Sequence, residues 1–352
     1  MSRDTEKIRQ GEELNEANLR EFLGERFSNA PGEIEVLQFP SGSSNLTYLI
    51  KMDGQEFVLR RPPFGNTVVS AHDMKREFGV LSKLSAVYQP APKPLIYCAD
   101  ETIIGSEFYL MERRNGLIIR GVSPETLENS KELQRKVCES FIENLVELHS
   151  LNYQKIGLGD LGKPEGYAQR QVEGWTKRYY NAKTDEHAEM ETAIEWLNQN
   201  IPASGGAALI HNDYKFDNVM LNPENLTEIV AVLDWEMTTI GEPLMDLGSS
   251  LAYWMSKESG AHLLNMPFNP RVLMENISRR ELVEMYEKKS GKQVSDILFY
   301  YVFGTFKLAV IAQQIYARFV KGFTEDKRFA TFDSFVNALG KIASRTIQNG
   351  KV

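Results

Sequence analysis

Leu209-Ile-His-Asn-Asp-Tyr-Lys-Phe-Asp-Asn-Val-Met-Leu221 is the most informative run of this chain. An apolar stretch leads into His211 and Asp213, Asn218 follows, and a second apolar stretch begins at Val219. Further on, Ile229-Val-Ala-Val-Leu-Asp234 repeats the arrangement of an apolar run ending in a carboxylate. Short apolar runs bounded by polar residues read as buried strands, so each carboxylate is delivered at a strand end. Phosphoryl transfer to a hydroxyl calls for such a set. One carboxylate accepts or orients the hydroxyl proton, while a neutral oxygen and a second carboxylate hold Mg²⁺ against the phosphates. Either aspartate alone reads equally well as a turn residue. The two together, followed by Gly241-Glu-Pro-Leu-Met-Asp246-Leu-Gly248, favour the catalytic reading.

Upstream, the pattern predicts a helix over 15–27 with Leu19, Phe22, Leu23 and Phe27 on one face. Strands are expected at 33–39, 47–52 and 55–60, with Asp53-Gly54 as a two-residue hairpin turn. A helix over 71–87 carries Phe78, Leu81 and Leu84, and strands follow at 95–98 and 107–111. Beyond Arg113-Arg-Asn-Gly116 the pattern changes to long helices. Ser123-Pro124-Glu125 reads as a helix start, with Ser as the cap and Pro at the first position, running to about His149. Helices at 166–180 and 186–199, short strands at 208–210, 219–221 and 229–233, and a capping box at Ser278-Arg-Arg-Glu281 complete the outline. The apolar stretch 298–317 is interrupted by Lys307, Gln313 and Gln314, so it reads as a buried helix rather than a membrane span. The expected organisation is α+β and two-lobed: a strand-rich lobe over 1–112, a hinge at 113–118 and a helical lobe over 119–352.

With 352 residues, 42% of them hydrophobic, the chain can bury a large core, which excludes wholesale disorder. A net charge of −8 argues against nucleic acid as a partner while leaving room for a local nucleotide site. Two cysteines, Cys98 and Cys138, exclude a disulfide framework and a cysteine-based zinc site, and both read as buried thiols. The charged N-terminal segment has no apolar core of a secretory signal, so a cytoplasmic location away from membranes is expected.

The run at 209–221 resembles the H-G-D-x-x-x-x-N catalytic loop of aminoglycoside phosphotransferases and choline kinases, which have a protein-kinase-like fold. Trp175-Thr-Lys-Arg-Tyr-Tyr180, Val232-Leu-Asp-Trp-Glu236, residues 241–248 and Leu308-Ala-Val-Ile-Ala-Gln-Gln-Ile-Tyr-Ala-Arg318 are similar to one subgroup. That subgroup includes the kinase domains fused to some acyl-CoA dehydrogenases. The resemblance implies Asp213 as catalytic base, Asn218 and Asp234 as Mg²⁺ ligands, His211 as a brace of the loop and Asp246 as a brace from the following helix. Two departures stand out: Asn212 where Gly is usual, and Trp235-Glu236 after Asp234 in place of Phe-Gly. Lys215 reads either as a neutraliser of transferred phosphate or as a solvated loop lysine, and Asp217 as scaffolding.

In the small lobe, Ser41-Gly42-Ser43-Ser44-Asn45 sits at a strand turn where small residues let backbone N–H groups approach phosphate. Gly and Ser populate ordinary hairpins too, and the kinase G-x-G-x-x-G is absent. Arg60 stands where kinases place a phosphate-contacting lysine, Arg61 follows it, and Glu77 is the expected helix partner. Tyr109-Leu-Met-Glu-Arg113 resembles the hinge strand and nominates Met111 and Arg113 as nucleotide contacts. The expected activity is transfer of the γ-phosphate of ATP or GTP, with Mg²⁺, to a hydroxyl of a small metabolite such as a hydroxyacyl thioester. The alternatives are an aminoglycoside acceptor, or a nucleotide-binding pseudokinase scaffold. Arg60 and Asn212 favour the scaffold; intact Asp213, Asn218 and Asp234 oppose it. A protein hydroxyl is disfavoured because no A-P-E-type segment follows Asp234. A face over 323–335 is the candidate surface for joining protomers.

Overall fold

The computed structural model describes residues 4–27, 32–40, 45–64, 73–203, 205–324 and 326–352. The chain forms two compact units, Met1–Asn115 with Val230–Glu236, and Gly116–Ile229 with Met237–Val352. The first boundary thus falls inside the expected hinge at 113–118. Residues 230–236, expected in the helical lobe, group instead with the strand-rich unit.

The first unit runs through helix α1 (Glu16–Phe27), strands β1 (Ile34–Gln38), β2 (Leu46–Met52) and β3 (Gln55–Arg61), helix α2 (Met74–Leu84), and strands β4 (Pro94–Cys98) and β5 (Phe108–Glu112). The strands form one antiparallel sheet in the order β1-β2-β3-β5-β4. Asp53 and Gly54 join β2 to β3 with φ of 51° and 76°, the left-handed turn backbone that matches strand twist. Side chains alternate faces along a strand. Tyr48, Ile50, Phe57, Leu59, Phe108 and Leu110 share one buried cluster with Leu19, Phe22 and Leu23 of α1. Phe27, expected on the same apolar face, is 38% exposed and stacks on Phe57 with ring centroids 5.0 Å apart. Helix α2 packs against β4 and β5 and is capped by Asp73, whose side chain accepts from Arg76 N. Of the helix expected over 71–87, residues 71 and 72 lie outside the described residues, and α2 ends at Leu84.

The second unit contains α3 (Glu125–Glu128), α4 (Lys131–Ser150), α5 (Tyr167–Ala182), α6 (Ala188–Gln199), β6 (Ala208–Ile210) and β7 (Val219–Leu221). The strand β8 (Ile229–Val232) starts at the last residue of the Gly116–Ile229 stretch and, from Val230 on, belongs to the first unit. Next come β9 (Thr239–Gly241), α7 (Pro243–Tyr253), α8 (Ala261–Leu264), α9 (Arg271–Met274), α10 (Arg279–Ser290), α11 (Ile297–Val320) and α12 (Phe332–Asn349). The single helix expected from Ser123 to His149 is two helices. Ser130, not Ser123, provides the cap, its hydroxyl accepting from Leu133 N at 3.1 Å. Gln134 Nε2 donates to Leu127 O at 2.8 Å, which satisfies the end of α3 and stabilises the break. The capping box at Ser278 and Glu281 forms as expected.

Helix α11 is the core of this unit. Its most apolar window is 78% buried, and α5, α6, α7 and α12 pack around it. Its contact with α7 is a backbone-to-backbone approach. A Cβ on Gly248 would stand 2.3 Å from Tyr300 O, and one on Gly304 would stand 2.4 Å from Gly248 O. Only glycine permits that spacing, and it fixes the height of α7, which carries Asp246. Both cysteines are free and buried.

Candidate active site

In the second unit, β6 and β9 pair antiparallel and α7 follows β9 directly. The loop after β6 is thereby brought over the first turns of α7. Asp246, fully buried, accepts from His211 N at 2.7 Å and from Asn212 N at 2.8 Å. His149 Nε2 lies 3.3 Å from the same carboxylate, and its Nδ1 lies 2.8 Å from Tyr286 Oη. Burial pushes the Asp246 pKa up, but the His149 partner and the donated N–H groups outweigh it and hold the carboxyl below its ordinary value. Asp213 N donates to His211 Nδ1 at 3.2 Å.

Asn212 has φ 67°, the left-handed region in which glycine is unstrained and asparagine is the commonest substitute. The departure from glycine is therefore accommodated without loss of loop shape. The amide adds ties of its own: Nδ2 donates to Met237 O at 3.0 Å and to Tyr167 Oη at 3.2 Å.

Asp213 and Asn218 meet directly. Asn218 Nδ2 donates to Asp213 O and to Asp213 Oδ2, both at 2.9 Å. Lys215 Nζ donates to Asp213 Oδ2 at 2.7 Å and lies 4.7 Å from the Tyr253 ring. Burial, then the Asp213 charge, raise the pKa of the Tyr253 phenol, so it stays protonated. Beneath the loop, Lys307 of α11 donates from Nζ to Asn212 O at 2.7 Å. Burial lowers the Lys307 pKa, against the pull of Asp213 and Asp246. Asp217 is paired with Arg120 at 2.5 Å, as scaffolding would be.

The first unit holds a second charged cluster. Arg60 of β3 is 7% exposed and faces three carboxylates: Glu77 at 3.0 Å, Asp234 at 2.5 Å and Glu236 at 3.0 Å. Tyr109, its cross-strand register partner, completes the wall beside Glu77. Burial raises the Glu77 pKa; Arg60 pulls it down without cancelling the rise, to which the Asp234 charge adds. Asn45 Nδ2 donates to Glu236 Oε2 at 2.6 Å, and Arg76 donates to Glu236 O at 2.9 Å. Asp234 itself has φ 69°, and the segment is pinned by Trp235, whose Nε1 donates to Val232 O at 2.7 Å and whose ring meets Tyr88 edge-on.

Arg61 points the other way: it donates to Ile104 O at 2.8 Å and lies over the Phe64 ring. Gly42, Ser43 and Ser44 lie outside the described residues. Met111 is buried in β5 as the register partner of Val58. Arg113 pairs with Asp4 and lies 5.0 Å from the Phe39 ring.

Several members of these clusters are not singled out as site residues by sequence, among them Arg76, Tyr253, Glu236 and Lys307. By sequence Glu236 reads only as a departure from Phe-Gly, and Lys307 only as an interruption of an apolar helix. The signal for Lys307 is nevertheless in the chain, since an ammonium inside an otherwise apolar helix must find a polar partner.

The sequence profile described as "Phosphotransferase enzyme family" (APH) matches residues 35–267. Acyl-CoA dehydrogenase family member 11 of Gallus gallus is 32% identical over 346 residues, covering 96% of this chain but 44% of its own length. The chain therefore spans under half of that curated relative. Among solved structures, a candidate aminoglycoside phosphotransferase of Ralstonia eutropha superposes with TM-score 0.79 at 28% identity, over 96% of this chain and 99% of its own. The aminoglycoside phosphotransferase APH(4)-Ia, in ternary complex with AMP-PNP and hygromycin B, superposes with TM-score 0.61 at 14% identity, over 94% and 98%. That last likeness is one of fold: a strand-rich N-terminal sheet followed by a helical region.

Proposed function

We propose that this chain, which belongs to the phosphotransferase enzyme family and is itself a phosphotransferase, moves the γ-phosphate of ATP to a hydroxyl of a small metabolite with Asp213 as base. The observation that carries the reading is the way the loop presents Asp213. Its backbone N–H is taken by His211, its carboxylate is oriented by Asn218 and Lys215, and the peptide groups before it are held by a buried Asp246. A carboxylate fixed at that end of a strand can accept a proton from an acceptor hydroxyl, which is worth about 10²–10⁴-fold in rate.

Mg²⁺ fits the chemistry of the donors present. Among the described residues no three His, Cys, Asp or Glu side chains gather as a metal cage. Mg²⁺ needs none, since it is ordinarily held by one or two carboxylates together with substrate phosphates. Asp234 offers a carboxylate. Asn218 commits its amide nitrogen to Asp213, which leaves Oδ1 as its donor to a cation. These are the two groups proposed to hold the ion, which would neutralise phosphate charge during transfer. Arg60 is the cation proposed to meet nucleotide phosphate, and Glu77 the carboxylate that aims it. Asn45, Met111 and Arg113 are the proposed further nucleotide contacts, along with Gly42, Ser43 and Ser44.

For the acceptor, we propose a hydroxyacyl thioester, supported by the relatives' names and by the charges at the loop. Lys215, on the loop itself, puts an ammonium 2.7 Å from Asp213. A polycationic aminoglycoside would bring amines to this cation, whereas a coenzyme A thioester brings phosphates.

Thermal denaturation with ATP or GTP, each with and without Mg²⁺, tests the nucleotide claim. A ligand at 100 times its Kd stabilises by about 2.7 kcal/mol. ATP is expected to raise Tm only with the divalent ion, and no shift with either nucleotide and Mg²⁺ would refute it. Transfer of ³²P from ATP to a panel of hydroxyacyl thioesters and aminoglycosides tests the acceptor, and labelling of the aminoglycosides alone would overturn the thioester.

A further inference from the structure

We infer that Lys307 is a positioning residue for the transfer reaction: from the core helix α11 it holds the peptide unit that immediately precedes Asp213. The inference rests on the reading of Asp213 as the base, and goes beyond it to a residue outside the catalytic loop.

Lys307 lies within a 24-residue helix that is apolar over nearly its whole length, and it is 6% exposed. Burying an ammonium is costly unless it is paired and hydrogen-bonded. Among the described residues Lys307 makes no ion pair within 4.0 Å; its Nζ goes to a backbone carbonyl, Asn212 O, at 2.7 Å. The remaining side of the ammonium is covered by the Trp175 ring, 5.6 Å from its centroid.

That carbonyl belongs to the peptide joining Asn212 to Asp213. The N–H of the same peptide is taken by His211 Nδ1 at 3.2 Å. Both polar ends of one peptide plane are therefore fixed, one by a core lysine and one by an imidazole. The preceding peptide is fixed as well, through Asn212 N and Asp246. A peptide plane held at both ends cannot rotate, and rotation about this one would swing the Asp213 side chain. The Asn212 amide already ties the side-chain end of this left-handed residue to Met237 O and Tyr167, and Lys307 adds the hold on its carbonyl. Small misplacements of a reacting group are expensive in rate, so Lys307 acts through Asp213 without touching substrate.

Mg·ATP hydrolysis, with water as the acceptor, is measured for wild type, Lys307→Met, Lys307→Gln, Lys307→Arg and Asp213→Asn, together with ATP Kd and hydrogen exchange across 210–216. Lys307→Met is expected to lower kcat at least tenfold while KM and Kd for ATP stay within twofold. Lys307→Arg, which keeps a charged donor, should recover a large part of the loss. Exchange at Asp213 N should speed up in Lys307→Met. If Lys307→Met does not fold, Lys307→Gln, which keeps a donor and removes the charge, takes its place. A folded uncharged variant with kcat and exchange within twofold of wild type overturns the inference. Equal loss in the Met and Arg variants does so too, because it marks a packing role. If Asp213→Asn hydrolyses ATP as fast as wild type, the reading of Asp213 falls instead. If wild type itself is silent, the exchange measurement decides the clamp.

Discussion

The two charged clusters handle burial in opposite ways. Around Asp246, in the second unit, a single acid is met by two backbone N–H groups and an imidazole, all rigidly attached to the fold. Around Arg60, in the first unit, one base is shared by three acids, Glu77, Asp234 and Glu236. The former has donors enough for its charge and has no reason to change. In the latter Arg60 divides one guanidinium among three carboxylates, with Arg76 beside Glu236, and a group shared three ways can change partners. A template that must hold one loop geometry is built in the first manner. On the proposed reading, the second manner suits a cluster that accepts and releases nucleotide phosphate.

The sharpest way to break this contrast is at the acid the template presents. Asp213→Asn keeps shape and removes proton acceptance, so kcat is expected to fall by about 10²–10⁴-fold. ATP affinity should stay near that of wild type. Equal losses in both quantities would mean that the loop belongs to nucleotide binding and that the division of labour is wrong.

Next is the template's anchor. Asp246→Ala orphans two buried N–H groups, each costing about 1–3 kcal/mol, so urea unfolding should show a loss of several times RT with little change in m. The pH dependence has a definite sign. The folded-state pKa of Asp246 lies below its unfolded value. Its contribution is present above the unfolded carboxyl pKa of about 3.9 and is lost as pH falls through the folded value. Wild type should therefore lose stability in acid below about pH 4, and Asp246→Asn should flatten that slope.

Arg60 sharpens the other side. Arg60→Met leaves Glu77 buried without its cation, which typically costs about 3–5 kcal/mol, and should also weaken ATP binding strongly. Arg60→Lys should keep part of both, having charge without the fork. Arg61→Met should leave ATP affinity unchanged, because its guanidinium bonds Ile104 O on the opposite face. A loss of affinity for Arg61→Met alone, by calorimetry, would reverse the assignment.

The smallest effect is expected at Asn212. Asn212→Gly should preserve the left-handed loop backbone and most of the activity. Asn212→Ala should cost about 1–2 kcal/mol by placing a side chain with no local hydrogen bond at positive φ. Urea midpoints of the two variants give the comparison directly.

Much of this was legible in the chain. The sheet strands, the Asp53-Gly54 turn and the Ser278 capping box follow from local patterns, and each forms within a residue or two of its expected place. The loop after β6 stood out because strand-terminal acids have few structural reasons to recur, and Asp213 and Asn218, which it singles out, lie in contact. The break at Ser130 was not, because Ser123 and Ser130 are equally good caps locally and Gln134 settles the choice from within α4. Glu236 and Lys307 escaped for a related reason. Their importance comes from partners far away in sequence, Arg60 and Asn212, which no local spacing announces. The membership of 230–236 in the first unit is likewise a matter of long-range packing, carried by Trp235 against Tyr88 and by Val232 N donating to Pro90 O at 2.8 Å.

That last feature has a bearing on synthesis. A chain emerges from the ribosome N-terminus first, at roughly 5–20 residues per second. The strand-rich unit cannot be completed when residue 115 appears, for the segment bearing Asp234, Trp235 and Glu236 is more than a hundred residues behind. Until then Arg60 and Glu77 face each other without the other two acids, and Tyr88 lacks its indole. The nascent unit must wait several seconds in an incomplete form, and a fragment ending at 115 would be arrested in it.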